Sequence, residues 1–256
     1  MANPICYEQP LNERIRTLLR LEFLFHQLAH ASAGQYEWDS RAALQALLEI
    51  LEITAHNDIK SELIKELERQ AGLLSRLRQT PGVDSETLDG VLTDIGQATD
   101  RLRRLNNQVT DAVRTNDFLV AIRQRSIIPG GACRFDLPGL HHWLEQAHAV
   151  RSKHLQDWLT PFRPLQTGVG LILQLIRNSA MPHTETAWQG FFQKNLDSGL
   201  PSQMVRVILP RESAVFPEIS AGKHRFAIRF MEQPDPNQRA NQTTADIRFQ
   251  LVYCVI

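Results

Sequence analysis

The first two thirds of the chain repeat apolar residues at spacings of three and four. This spacing places apolar side chains on one face of an amphipathic helix. It is found from Leu11 to Leu28 and in segments that begin near Asp39 or Ser40, near Asn57 or Asp58, near Asp84 or Ser85, and at about Asp117. Asp, Asn and Ser favour the N-cap position, so they mark where these helices are expected to start.

A second set of shorter helices is predicted after the turn signal Ile128-Pro129-Gly130-Gly131. Asp136 precedes Leu137-Pro138, and this order predicts an N-cap followed by proline in the first turn. The predicted helices then run from His141 to Glu145, from Arg151 to Leu159 and from Pro164 to Arg177.

The spacing changes to two after Pro182, which indicates β-strands. Strands are predicted at Trp188–Gln193, Gln203–Leu209, Lys223–Met231 and Asp246–Val255, with a loop over Asp235–Thr244. Helices followed by strands predict an α+β fold with an antiparallel sheet or sandwich at the end. We expect a helical domain over residues 11–180, a β-strand domain over residues 181–256, and an N-terminal strand within residues 1–10 that joins the β-domain.

The amino-acid composition argues against several classes of function. The 28 basic and 28 acidic residues give a formal net charge of zero, which argues against general nucleic-acid binding. The three cysteines form no Cys-x-x-Cys pair, so neither a disulfide framework nor a zinc site is expected. The N-terminus lacks signal-peptide features, and no apolar run approaches the ~20 residues of a membrane span. We therefore expect a cytoplasmic protein without membrane insertion.

Motifs for catalysis are sparse. His141, His142, His148 and His154 cluster in the sequence, but no pair has the His-x-x-x-His spacing of a zinc protease. Gly168-Val169-Gly170 lacks the third glycine of a dinucleotide-binding turn. We predict no catalytic residue, no metal and no cofactor. A hydrolase that uses the His141–His154 region remains a distant alternative.

Two arginines on one predicted strand are the most suggestive feature. Arg225 and Arg229 share a face about 13 Å apart, with Ala227 between them, and Lys223 adds charge. The opposite face, formed by Phe226, Ile228 and Phe230, is expected to be buried. Arginine suits bidentate capture of carboxylates. Two interpretations stay open: a solvated face whose arginines pair with carboxylates such as Asp246, or a binding site.

Several blocks, in order along nearly the whole chain, resemble the ZapD family. They are residues 7–24 (YEQPLNERIRTLLRLEFL), residues 62–70 (ELIKELERQ), residues 81–84 (PGVD), residues 123–125 (RQR), residues 128–131 (IPGG), residues 135–138 (FDLP), residues 175–177 (LIR), residues 190–191 (GF), residues 217–220 (PEIS) and residues 225–230 (RFAIRF).

The resemblance implies a non-enzymatic, cytoplasmic cell division protein that acts at mid-cell. It implies a homodimer with a helical domain and a β-domain, which binds the C-terminal peptide of FtsZ and bundles FtsZ filaments. The strand arginines of the family's tail site match Arg225 and Arg229. A third basic position matches His56, which is largely neutral near pH 7; Lys60 and Lys223 are expected to add charge. The alternative from another class is a nucleic-acid-binding protein that uses the same basic strand.

Overall fold

The computed structural model describes residues 3–56, 58–197, 199, 201–222 and 224–255. These residues form the α-helices α1 Glu13–Ala33, α2 Glu37–His56, α3 Ile59–Arg76, α4 Ser85–Arg104, α5 Asn107–Arg114, α6 Asp117–Ser126, α7 Pro138–Leu144, α8 His148–Leu159 and α9 Arg163–Arg177. The strands are β1 Ile5–Pro10, β2 His183–Ala187, β3 Phe191–Asn195, β4 Ser202–Leu209, β5 Val215–Ala221, β6 Arg225–Glu232, β7 Asn241–Gln242 and β8 Ile247–Val255. The predicted α+β fold class is confirmed.

The chain divides into two compact units. The helical unit runs from Leu18 to Ile172. The β unit combines the described residues up to Thr17 with those from Leu173 onward. The predicted domain boundaries at residues 10 and 180 stay predictions.

The β unit contains two antiparallel sheets. One has the strand order β1-β4-β8-β2, and the other has the order β3-β6-β5 with the short β7 paired to β6. Strand β1 pairs with β4, from Ile5 opposite Leu209 to Pro10 opposite Met204. The N-terminal strand therefore joins the sheet, as expected from the sequence.

The inner faces of the two sheets form one hydrophobic core. Phe226, Ile228 and Phe230 of β6 are at most 1% exposed, and they pack in a cluster that includes Phe249 and Leu251 of β8. The rings of Phe230 and Phe249 lie 5.0 Å apart between centroids. Full burial of such a side chain contributes about 1.5–3 kcal/mol each, so the core holds β6 firmly in place.

The helical unit buries the apolar stripes that the sequence predicts. Among the buried side chains are Leu44, Leu47, Leu51, Leu63, Leu67, Ile95 and Leu102. Asp58 caps α3 by accepting a hydrogen bond from the Ser61 backbone N–H at 3.2 Å. Asp84 caps α4 by accepting one from the Glu86 backbone N–H at 3.1 Å. Two candidate N-cap residues were predicted for each of these helices, and in both cases the aspartate caps the helix.

The predicted starts of α2, α7 and α8 are wrong; α8 begins at His148, three residues before the predicted Arg151. Helix α2 begins at Glu37, before Asp39, whose carboxylate accepts a hydrogen bond from the Tyr36 backbone N–H at 2.9 Å. Helix α7 has Leu137 at its N-cap position without a side-chain cap, although Pro138 does open the helix. The Asp136 carboxylate instead accepts a hydrogen bond from the Cys133 thiol at 3.4 Å.

Other elements differ from the predicted pattern. Helix α5 and strands β2, β5 and β7 were not predicted, and β7 lies within the predicted loop Asp235–Thr244. The predicted strand Trp188–Gln193 contains a turn. Gln189 and Gly190 have φ angles of 49° and 70°, and the Phe191 backbone N–H donates to the Trp188 carbonyl oxygen at 2.9 Å. Consecutive left-handed residues with this hydrogen bond form a type I′ turn, which separates β2 from β3.

Candidate functional site

Strand β6 presents the two arginines on the outer face of its sheet. Arg225 and Arg229 are exposed, and Ala227 between them is half-buried. The alternate residues point into the core, so the pleat separates charge from apolar side chains as the sequence predicts. A buried inner face fixes the backbone that carries both arginines. We call the outer surface of β3, β6 and β5 around these residues the arginine face.

Arg229 lies between an aromatic ring and a carboxylate. Phe191 of β3 is directly opposite it on one side, and Glu218 of β5 is directly opposite on the other. Residues directly opposite in an antiparallel sheet project to the same face, about 4.5–5.5 Å apart. Phe191 is 40% exposed. The arginine face therefore offers both charge and apolar surface.

The other arginine has polar surroundings. Arg225 is opposite Asn195 of β3, and its carbonyl oxygen accepts a hydrogen bond from the Gly222 backbone N–H at 2.9 Å. Ala227 is flanked by Gln193 and Ser220. The small Ala227 and its uncharged neighbours leave a floor without charge between the two arginines.

Within the described part of the chain, no carboxylate pairs with the side chains of the two arginines. Among the described residues, neither Arg225 nor Arg229 has a carboxylate oxygen within 4.0 Å. The Asp246 carboxylate, which was the suggested partner, accepts a hydrogen bond from the Gln189 backbone N–H at 2.8 Å instead. Both guanidinium groups are thus available to a ligand.

Of the remaining predicted site residues, two lie in the helical unit and one lies outside the described residues. Lys60 lies in α3 of the helical unit, and its ammonium donates to the Leu105 carbonyl oxygen at 2.8 Å. Leu105 is the C-cap of α4, where a positive charge is favourable. His56 is the last residue of α2, and its side chain lies outside the described part of the structure. Lys223 also lies outside the described residues.

Phe191 and Glu218 were missed as site residues by the sequence analysis. The alternation of β6 identifies the arginines, but it does not identify the strands on either side of them. The exposed Trp188, at 69%, lies on the tight turn that precedes Phe191. The available signal was Gln189-Gly190, a turn sequence that is followed by two phenylalanines. The prediction of one continuous strand over Trp188–Gln193 hid this turn.

The helical unit exposes a separate apolar surface. Trp38, Ile127 and Phe135 are 74%, 83% and 86% exposed. A cavity of about 480 Å³ is lined by Trp38 and Ile128, among other residues. The Arg41 guanidinium lies 5.3 Å from the Trp38 ring centroid and 3.0 Å from a Glu37 carboxylate oxygen, so its charge is balanced locally. We call Trp38 and Ile128, which line this cavity together, the helical apolar patch.

The clustered histidines take part in packing contacts. His154 Nδ1 accepts a hydrogen bond from the Trp143 indole N–H at 3.0 Å, and its ring stacks on Trp158 at 5.9 Å. His141 Nδ1 lies 3.6 Å from a Glu145 carboxylate oxygen. The described residues contain no group of three or more His, Cys, Asp or Glu side chains that fits a metal ion. Within the same residues, every helix is either too short or too polar to cross a membrane.

Comparison with known proteins identifies the class. A family model described as "Cell division protein" matches residues 19–229, which include both strand arginines. A cell division protein of Methylococcus capsulatus is 44% identical over 256 residues, covering 100% of both chains. A relative from Azoarcus is 40% identical over 252 residues, covering 98% of this chain and 100% of the relative. Both relatives are named "Cell division protein ZapD".

The fold and these matches therefore define an α+β cell division protein. The chain belongs to the ZapD family.

Proposed function

We propose that this protein binds the C-terminal tail of FtsZ through the arginine face and bundles FtsZ filaments. Membership in the ZapD family and the family's implied partner support the choice of ligand. The single observation that carries the proposal is the pair Arg225 and Arg229, exposed on a strand whose other face is buried.

The chemistry of the face matches a peptide that carries carboxylates. A guanidinium binds a carboxylate through two parallel hydrogen bonds, and such charge-assisted bonds are stronger than neutral ones. The core behind β6 holds the backbone that carries both arginines, which lowers the backbone entropy lost on binding. Lys223, His56 and Lys60 remain proposed contributors of positive charge to the same ligand.

Bundling requires two tail sites in one particle. A two-fold homodimer carries two copies of the arginine face, and each copy engages a tail on a different filament. Weak single sites then give firm cross-linking through avidity. The helical apolar patch is a candidate for the dimer contact, because large exposed apolar patches often mark association surfaces. The proposed role is structural, in the cytoplasm at the mid-cell division site, without catalysis or a cofactor.

Co-sedimentation with FtsZ filaments tests the proposal. We expect Arg225→Glu with Arg229→Glu to abolish bundling and to weaken binding of the isolated tail peptide by at least about tenfold, because hydrogen bonds to charged groups each contribute about 1.5–3 kcal/mol. Added salt is expected to weaken the wild-type contact as it screens the exposed charges.

The matched control is Arg239→Glu with Arg248→Glu. It makes the same change of charge at two exposed positions of the β unit outside β6. We expect this variant to bundle filaments like the wild type. If the β6 variant is folded and still bundles filaments, the arginine face is not the tail site. Comparable wild-type affinity for DNA would favour the nucleic-acid-binding alternative instead.

A further inference from the structure

The last turn of α2 carries one of the proposed ligand-binding residues. His56 is the last residue of this helix, and α3 begins close by, at Ile59. The last four carbonyl groups of a helix have no intrahelical N–H partner, and helix ends fray when nothing else satisfies them. The contacts that hold the last turn of α2 therefore also fix the backbone that carries His56.

Arg114 makes such a contact from a different helix. It is the last residue of α5, and its Nη2 donates to the Thr54 carbonyl oxygen at 2.7 Å, across 60 positions of the chain. Thr54 lies two residues before His56 and is 6% exposed, so water has little access to this part of the turn. A positive charge near C-terminal carbonyl groups is also favourable for the helix dipole.

The guanidinium group of Arg114 is itself held in place. Its Nη1 donates to the Asp111 carboxylate at 2.8 Å, one turn earlier in α5. The Arg114 side chain is only 25% exposed. Arginine presents its donors in a rigid planar fork, so the two acceptors are bound at the same time. Arg114 thus links α5 to the end of α2 through a fixed geometry.

The start of α3 is held by the same part of the chain. The Lys60 ammonium donates to the carbonyl oxygen of Leu105, the C-cap of α4, at 2.8 Å. Helix α5 begins at Asn107, directly after this cap. The segment from Leu105 to Arg114 therefore contacts both helices that flank the α2–α3 connection, and all of these residues lie within the helical unit.

A nearby arginine differs from Arg114 in what it binds. Arg103 of α4 pairs with the Glu68 side chain of α3 at 2.7 Å, and the two side chains are 58% and 49% exposed. Exposed pairs of this kind contribute little to stability. Arg114 instead donates to a main-chain carbonyl group at a helix end, so its loss affects the backbone of that end directly.

We propose that Arg114 is a positioning residue for FtsZ binding that acts through His56. Its bond to Thr54 keeps the last turn of α2 helical and so fixes the backbone from which the His56 side chain extends. Arg114 does not itself contact the ligand, because its guanidinium group is committed to Thr54 and Asp111. This inference rests on the proposed function, in which His56 contributes positive charge.

A double-mutant cycle of Arg114→Met and His56→Ala in the full-length protein tests the inference. The FtsZ tail peptide is titrated at about pH 6, where an unperturbed histidine is mostly protonated. We expect each single variant to weaken binding about two- to fivefold, the effect of losing one exposed charge contact. The double variant is expected to bind like His56→Ala alone, because Arg114 acts only through His56.

The cycle distinguishes positioning from a general loss of structure. A general loss would weaken binding equally with and without His56, so effects that multiply in the double variant overturn the inference. Arg103→Met is the matched control and is expected to bind like the wild type; a loss equal to that of Arg114→Met would also overturn it. If circular dichroism shows that Arg114→Met is unfolded, Arg114→Lys replaces it in the cycle under the same criterion, since lysine keeps the charge without the planar fork.

The outcomes separate this inference from the proposed function. If His56→Ala weakens binding of the peptide but folded Arg114→Met binds like the wild type, only the positioning role is wrong. If the wild type does not bind the peptide, the proposed function is wrong and the inference is withdrawn with it. If the wild type binds and His56→Ala has unchanged affinity, the role of His56 is wrong, and the inference is withdrawn while the arginine face stands.

Discussion

Arg229 has one neighbour that favours the binding of an anionic peptide and one that opposes it. Phe191 offers apolar contact, whereas the exposed Glu218 lies directly opposite on β5. Because Glu218 and Arg229 are direct cross-strand neighbours, the Glu218 carboxylate attracts the guanidinium and repels an incoming carboxylate. Ligand binding at this residue therefore competes with a charge that the protein itself supplies.

We expect Glu218→Gln to raise the affinity for the FtsZ tail a few-fold. Removal of this carboxylate leaves Arg229 with a larger net attraction for the ligand, by an amount typical of exposed charge pairs, about 0.2–1 kcal/mol. Isothermal titration at low salt measures the change. Glu212→Gln, an exposed change of the same charge in the loop before β5, serves as the control. An unchanged or lower affinity for Glu218→Gln would contradict this account of the site.

The buried Cys254 thiol is sensitive to alkaline pH. Burial raises its pKa from 9.0 to about 11, because desolvation disfavours the thiolate. Below pH 9 the thiol is neutral in both the folded and the unfolded chain. Between pH 9 and pH 11 only the unfolded chain ionises, so folding stability is lost over this interval. We expect Cys254→Ala to show a smaller fall in melting temperature over the same interval; equal falls would disprove the contribution.

At the scale of elements, the turn between β2 and β3 decides where β3 begins. Gly190 has a φ of +70°, and a Cβ atom there would lie 2.5 Å from the Thr243 carbonyl oxygen. Both the backbone conformation and the close approach require glycine. This turn places Phe191 in register with Arg229.

Gly190→Ala is therefore expected to destabilise the protein by about 1–3 kcal/mol and to weaken tail binding. Gly96→Ala in α4 is the matched control, since a methyl group added there would have nothing within 4 Å and alanine favours a helix. The control should be neutral or stabilising in urea denaturation. A wild-type melting curve and wild-type tail affinity for Gly190→Ala would show that the turn tolerates a side chain.

Helix starts were predicted correctly where the helical apolar spacing coincides with an N-cap residue. Helices α3 and α4 have both an apolar stripe and an aspartate cap, and their starts were found. Helix α5 spans only eight residues, which is too short for a clear periodic pattern. Strand β5 contains Pro217 and Glu218, which are uncommon in strands, and it forms because its pairing with β6 outweighs that weak propensity.

At the scale of the whole molecule, the two ends of the chain meet in the β unit. The Glu8 carboxylate of β1 accepts hydrogen bonds from Arg177 at the end of α9, at 2.8 Å, and from Arg206 of β4, at 3.0 Å. All three side chains are at most 25% exposed. One carboxylate thus joins the N-terminal strand to residues more than 160 positions later.

We expect Glu8→Ala to lower the free energy of unfolding by about 1–3 kcal/mol, because two partly buried arginines lose an acceptor. Chemical denaturation measures the change. Glu13→Ala removes an exposed carboxylate that pairs with Arg16 at 3.1 Å, and it should cost less than about 1 kcal/mol. Equal effects of the two substitutions would mean that the Glu8 contacts contribute no more than a surface ion pair.

The sequence by itself determined the α+β class and the two faces of β6, because both follow from local periodicity and a pleat repeats every two residues. It also located Arg225 and Arg229. Only the tertiary structure decided that Phe191 and Glu218 flank Arg229. Strand order and register depend on pairing between segments distant in the chain, and no local pattern in β6 specifies which strands lie beside it.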